Sequence, residues 1–195
     1  MTDFPTVADV LEFCRNELPT DDTALATSAL AAAISEIRSG TQRNLVLASG
    51  PATARVFAPT GDTYCRIHDC VSITSVVNKG ATLTGFQTSP LNGLSQSGEY
   101  RPIEQVDLVN GDLFDFGENN ANEATVTVTA SWGWSTIPEP IRFATLILAK
   151  DILSNRDVRF GLVAVTEAAG IGARTNAEVR AAINAHRRVE SWGIA

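Results

Sequence analysis

An α+β fold is what the sequence predicts: a bundle of about four helices around a buried central one, with a small antiparallel β-sheet or sandwich inserted after the second. Three observations predict it. Apolar residues recur at helical spacing up to residue 44, at β spacing from 45 to 137, and at helical spacing again from 138 to 195. The stretch from Ala124 to Asn155 holds the return transition, where an alternating Thr/Val run meets two prolines and then a strongly apolar helix pattern. A chain of 195 residues is long enough to bury a full core as one domain carrying an insertion. The expected organisation is therefore residues 1–44 as an N-terminal α-hairpin, 45–137 as an inserted β-region, and 138–195 as the helices that complete the helical domain.

The first helix is expected over Thr6–Leu18. Val7, Val10, Leu11, Cys14 and Leu18 share helical spacing, Thr6 can cap the start, and Pro19 follows the end. Asp21-Asp22-Thr23 caps a second helix that should stop before Gly40, with Leu25, Ala29, Leu30, Ala33, Ile34 and Ile37 as its stripe. Strands are expected at Ala54–Ala58, Tyr64–His68, Val71–Val77, around Tyr100–Leu108, and at Ala124–Trp134, with a tight turn at Asn78-Lys79-Gly80. Gly85–Gly98 and Asn110–Asn122, rich in Gly, Ser and Asn, read as irregular connections.

Pro138-Glu139-Pro140 cannot continue a sheet ladder, and proline is tolerated in a helix's first turn, so the central helix begins near Pro140 and runs to about Asn155. Ile141, Phe143, Ala144, Leu146, Ile147, Leu148, Ala149, Ile152 and Leu153 cover almost its whole circumference, which predicts burial by several neighbours at once. Asp157–Arg174 contains Gly161, Gly170 and Gly172 yet is too apolar for a linker. Its Phe160, Leu162, Val163, Val165 and Ile171 ask for cover from a neighbouring subunit. Thr175-Asn176-Ala177-Glu178 reads as a capping box opening a last helix through about Glu190, with Val179, Ala182, Ile183 and His186 on its inner face.

Charge and cysteine content narrow the function classes. Residues 1–137 carry 7 Lys/Arg against 16 Asp/Glu, −9, and residues 138–195 carry 8 against 6, +2, giving the overall −7. An acidic total argues against non-specific nucleic-acid binding by the whole surface. Cys14, Cys65 and Cys70 are odd in number and read as free thiols. No apolar run reaches the roughly 18–20 residues of a membrane span, and MTDFPTVADV lacks the pattern of a secretory leader. The expectation is a chain kept in the cytosol or released only within something larger.

The search for chemistry yields little. Alternation puts Cys65 and His68 of Cys65-x-x-His68-x-Cys70 on opposite strand faces, which disfavours a metal site. Asp112 to Glu118 lacks the ligand spacing of a calcium loop, and Gly170-Ile171-Gly172 has neither the strand nor the Gly-Lys-Ser/Thr of a phosphate cradle. His68 and His186 have no nucleophile elbow to serve. His186, Arg187 and Arg188 suit a helix C-terminus, without the longer basic patch that nucleic acid would need. Trp132 and Trp134 share one side of their strand and read as core or sheet-edge packing. Trp192, just past the last helix, has little core to enter and reads as an anchor in a partner. No catalytic residue, cofactor or metal is expected.

Particular words of the chain carry a family resemblance. They are Val126-Thr127-Val128-Thr129-Ala130-Ser131-Trp132-Gly133-Trp134, then Ile137-Pro138-Glu139-Pro140-Ile141, then Ala144, Leu148 and Ala149, and the late pair Arg187-Arg188. Val71-Ser72-Ile73-Thr74-Ser75-Val76-Val77-Asn78-Lys79-Gly80 is a looser match, and Gly85–Gly98 has no counterpart. In these words and in the order of elements the chain resembles the head–tail connector (adaptor) proteins of long-tailed bacteriophages. The resemblance implies a virion structural protein at the head–tail junction, assembled in the host bacterial cytoplasm, and no enzyme. It implies a homo-oligomeric, dodecameric ring under the portal protein, joined on its other side to a head-closure or tail protein. DNA would pass through the channel without sequence-specific binding, and no membrane is involved. Within that picture Trp192, Gly193 and Ile194 are the expected portal contact, and Phe160, Leu162, Val163, Val165 and Ile171 the expected subunit contact. The rival readings are another neck or tail-completion protein, or a small cytosolic ligand-binding protein or enzyme.

Overall fold

The computed structural model describes residues 3–15, 23–59, 61–91, 100–109, 113–114, 123–161 and 176–188. These form four helices and a six-stranded antiparallel sheet, an α+β arrangement. The chain divides into two compact units, Met1–Asn44 with Thr136–Ala195, and Leu45–Ser135.

The first unit holds the helices. Helix α1 (Val7–Phe13) starts in a capping box: the Thr6 hydroxyl accepts from the Asp9 amide at 3.2 Å, and the Asp9 carboxylate accepts from the Thr6 amide at 2.7 Å. The Thr6 amide, and then its hydroxyl, hold the Asp9 carboxyl below the usual carboxylate range. That contribution is present above the ordinary range and is lost as pH falls through the depressed value. Thr6→Ala is expected to lower stability by about 1 kcal/mol in urea denaturation near neutral pH. The helix ends at Phe13, not at Leu18. Cys14 is the C-cap (φ −92°, ψ −1°), its amide still bonded to Val10 O at 3.0 Å, and the Arg15 amide reaches back only three residues, to Glu12.

Helix α2 (Thr23–Thr41) buries Ala26, Ala29, Leu30, Ala33 and Ile37. It runs through Gly40, where the sequence predicted a stop. The stop is one turn-motif later: the Arg43 amide bonds Arg38 O, the Gln42 amide bonds Ser39 O, and Gln42 sits at φ 56°. This is the Schellman pattern with glutamine where glycine is usual. Gly40 is used for packing instead, because a Cβ there would lie 3.0 Å from the Cγ2 of Ile183.

Helix α3 (Glu139–Gly161) places Pro140 in its first turn, and Pro138 O accepts from the amides of Ile141 and Arg142 at 3.0 Å. It extends six residues beyond Asn155, so residues 157–161 are helical where a loop was expected. Ile141, Ala144, Leu148 and Ala149 are at most 2% exposed, and the buried Thr145 hydroxyl is satisfied by Ile141 O at 2.7 Å. Each large side chain in that stripe contributes roughly 1.5–3 kcal/mol by leaving water. The helix packs against α1, α2 and α4 (Ala177–His186). Burial is not all round, however. Phe143 is 49% exposed and Leu146 and Ile147 are half-buried, so one apolar flank is only partly covered by the described residues.

Helix α4 is capped by Asn176, whose carboxamide oxygen accepts from the amides of Glu178 and Val179. Thr175, expected to cap, lies outside the described residues. Val179, Ala182 and Ile183 face inward. The helix stops at His186, short of Glu190, because Arg187 turns extended (ψ 139°) and Arg188 donates its amide to Thr41 O at 2.9 Å. The nearly buried Arg43 donates Nε to His186 O at 2.8 Å, so the C-terminal ends of α2 and α4 are tied to each other.

The second unit holds the sheet, in the order β1 (Thr53–Phe57), β6 (Val126–Trp132), β2 (Tyr64–Asn78), β5 (Ile103–Leu108), β4 (Phe86–Ser89), with β3 (Ala81–Thr82) pairing the end of β2. Strands expected separately at Tyr64–His68 and Val71–Val77 are one strand, β2. It is interrupted by irregularities in pairing, one of them between Arg66 and Cys70. Such a bulge flips the facing pattern, which the sequence shows as a broken alternation. Strand β4 lies inside Gly85–Gly98, read from sequence as irregular; its Phe86-Gln87-Thr88-Ser89 pairs with β5. Asn78 pairs with Ala81 across Lys79 and Gly80, both at positive φ (47° and 82°), as a type I′ turn requires. The core of this unit comprises Cys65, Ile67, Cys70, Val76, Ile103, Val106, Phe114, Val126, Val128 and Ala130.

Candidate functional site

The residues singled out for partner contact fall largely outside the described residues. Leu162, Val163, Val165, Ile171, Trp192, Gly193 and Ile194 all do, and Phe160 is placed on the last turns of α3 without a description of its side chain. The described residues add two surface clusters, one in each unit.

In the helical unit, α1 and the first turns of α3 enclose an open notch of about 250 Å³. Phe13 and Phe143 meet edge-to-face at 6.0 Å, and with Leu146 they give the notch its apolar lining. Asp9, Glu12 and Glu139 surround it. Arg142 is held there by Glu139 (2.8 Å) and by Asp3 O (2.7 Å), and Glu12 shares an exposed pair with Arg15 at 3.4 Å. The carboxylates of Asp9, Glu12 and Glu139 are matched by Arg15, Arg142 and Lys150, whose ammonium lies 5.7 Å from the Phe13 ring centroid.

In the sheet unit, the exposed His68 sits where β2 bulges, with its ring centroid 5.2 Å from Phe57 and 6.2 Å from Trp132. Arg55 lies with its guanidinium 4.6 Å from the Trp132 ring and Nη1 3.1 Å from His68 Nδ1. Arg55 and Phe57 are two apart on β1, an edge strand, and that spacing was the available sequence signal for the cluster. What period-two reading missed was the bulge that brings His68 to them. The two tryptophans have different surroundings. Trp132 is half-buried in this cluster and donates Nε1 to Thr53 O at 2.8 Å. Trp134 is 2% exposed, donates Nε1 to Asp69 at 2.9 Å, and packs edge-on to Tyr100.

The groups weighed for chemistry are placed as follows. Cys65 and Cys70 are core residues while His68 is exposed, and no group of three His, Cys, Asp or Glu able to hold a metal occurs among the described residues. Burial pushes the Cys65 thiol up to about 11; burial, with Asp69 adding to it, pushes Cys70 up to about 12. Both are therefore protonated and shielded at neutral pH. Iodoacetamide should leave them unmodified in the native protein and alkylate both in denaturant, as peptide mass spectrometry would show. Of the acidic stretch 112–118 only Leu113 and Phe114 are described. Phe114 is fully buried and donates its amide to Asp62 O at 2.9 Å. Gly170 and Gly172 lie outside the described residues. His186 holds Nδ1 2.9 Å from Ala182 O and ends α4, followed by Arg187 and Arg188.

No protein-family model and no curated protein matches the sequence. Solved structures do. A chain from the neck of an empty gene transfer agent (GTA) particle, computed with C6 symmetry, matches at 19% identity and a TM-score of 0.51, covering 97% of this chain and 92% of that one. A chain from the neck of a native particle, computed with C12 symmetry, matches at 20% identity and a TM-score of 0.49, over 99% and 98%. A chain from the virion of the native particle matches at 19% identity and a TM-score of 0.49, over 99% and 96%. The likeness at a TM-score of 0.51 is one of fold, and it spans nearly the whole of both chains.

Proposed function

We propose that this chain is a structural protein of a phage-like particle, a head-to-tail adaptor that forms a ring under the portal. The observation that carries the reading is the fold likeness, over 97% of the chain, to a component of a sixfold-symmetric particle neck. It is a fold-level analogy, and it agrees with the sequence words that resemble the adaptor family. A sixfold axis suits a ring of twelve copies, and heterologous contacts that close by rotation are what generate rings. In this reading the four helices act as a bundle into which the sheet unit is inserted. DNA passes through the channel, and an overall charge of −7 favours sliding over sticking. Phe160, Leu162, Val163, Val165 and Ile171 contact the adjacent copy, Trp192, Gly193 and Ile194 enter the portal, and a head-closure or tail protein binds the opposite side. Deleting residues 192–195 tests the portal contact. The shortened chain should keep its circular dichroism and melting profile while unjoined heads and tails accumulate. Normal joined particles from the deletion would refute that assignment.

A further inference from the structure

The sheet unit is acidic, yet one of its cations has no carboxylate among the described residues. Residues 45–135 carry four Lys/Arg against nine Asp/Glu, a net −5. Arg55 is exposed on β1 and forms no salt bridge with a described residue. Asp69, the carboxylate next to His68 on β2, accepts from the Trp134 indole at 2.9 Å. Arg55 is nevertheless held in one orientation. Its guanidinium lies 4.6 Å from the Trp132 ring, that indole is anchored through Nε1 to Thr53 O at 2.8 Å, and Nη1 lies 3.1 Å from His68 Nδ1. A guanidinium has donors only, so His68 Nδ1 is the acceptor and the neutral imidazole carries its proton on Nε2. The remaining N–H donors of Arg55 have no acceptor among the described residues.

We infer that Arg55, stacked on Trp132, is a docking point for an Asp or Glu side chain from the sheet unit of a second copy. The inference rests on the ring reading and names a contact within it. Copies related by rotation about one axis carry the same unit at the same height, so sheet unit lies beside sheet unit. Units of net −5 repel each other unless a cation of one meets a carboxylate of the next, and the nine acidic residues of each unit supply that carboxylate. Arg55 is suited to the task because its fork pairs with a carboxylate through two parallel hydrogen bonds. Stacking on Trp132 and the bond to His68 have already removed much of the side-chain freedom that docking would otherwise cost. Arginine and tryptophan are also the residues on which interface energy concentrates. A single guanidinium in an acidic unit matches one carboxylate, whereas a nucleic-acid backbone calls for a run of cations.

The test is crosslinking in assembled particles made with the full chain. Arg55→Lys puts an amine where the guanidinium was, and a water-soluble carbodiimide joins an amine to a carboxylate it touches. The chain has two other lysines, Lys79 and Lys150, so a linkage at residue 55 is readily assigned by peptide mass spectrometry. In a second variant the exposed His68 is replaced by p-benzoylphenylalanine, which keeps Arg55 and Trp132 and needs only light. The expected product of either variant migrates at twice the chain's mass. For Arg55→Lys it joins residue 55 to an Asp or Glu within 45–135, and for the second it joins residue 68 to a peptide of the same unit. Linkage within one chain only, linkage only to residues outside 45–135 or to another protein, or no such product from either variant overturns the inference. In each of these cases the wild-type chain is still present in particles and the ring reading stands; a wild-type chain missing from particles defeats both.

Discussion

Gly133→Ala is expected to disrupt the sheet unit more than any other single methyl addition among the described glycines. Gly133 adopts φ +117°, and a Cβ there would lie 2.4 Å from Val46 O and 2.8 Å from the Ala48 amide nitrogen. Neither neighbour is a flexible side-chain tip. Both belong to a local hydrogen-bonded crossing: Trp134 donates its amide to Val46 O, Ala48 donates to Trp134 O, and Gly133 donates to Asp69 O, each at 2.8 Å. A side chain at this φ costs roughly 1–3 kcal/mol, and relieving the overlap costs a similar amount. The expected loss is therefore about 3–5 kcal/mol, read by guanidinium denaturation with tryptophan fluorescence, since Trp132 and Trp134 both belong to this unit. A loss below about 1 kcal/mol would contradict the close approach.

The second large effect separates the two flanks of α3. Leu148 is 1% exposed, and Leu148→Ala should cost about 2–5 kcal/mol through lost burial and the cavity left behind. Phe143 is 49% exposed in the isolated chain, so Phe143→Ala should cost well under half as much there. The contrast matters because both residues were expected to be buried alike. Equal losses in the monomeric chain would mean that the Phe143 flank is already covered.

How far the fold could be read beforehand depended on whether local signals met tertiary competition. Helix starts were legible because their chemistry is local: Thr6 caps α1, and Pro140 falls in the first turn of α3. Helix ends were less so. Gly40 looked like a stop, but its missing side chain serves the contact with Ile183, and Gln42 takes the left-handed position. Strand β6 was plain from its Thr/Val alternation, and the Lys79-Gly80 turn from its residues. Strand β2 looked like two strands because its bulge breaks period two, and β4 is short and polar enough to look like loop. For the surfaces, the sequence flagged apolar residues with no core to enter. It could not show the notch beside Phe143, because which flank of an all-round apolar helix stays open is decided by its neighbours.

The central claim is a place in the particle neck, and quantitative mass spectrometry of purified particles tests it most directly. Particles from cells producing this chain should contain it at a copy number close to that of the portal protein and far below that of the capsid protein. Absence from the particles, or an abundance approaching that of a tail-tube or shell protein, would contradict the account.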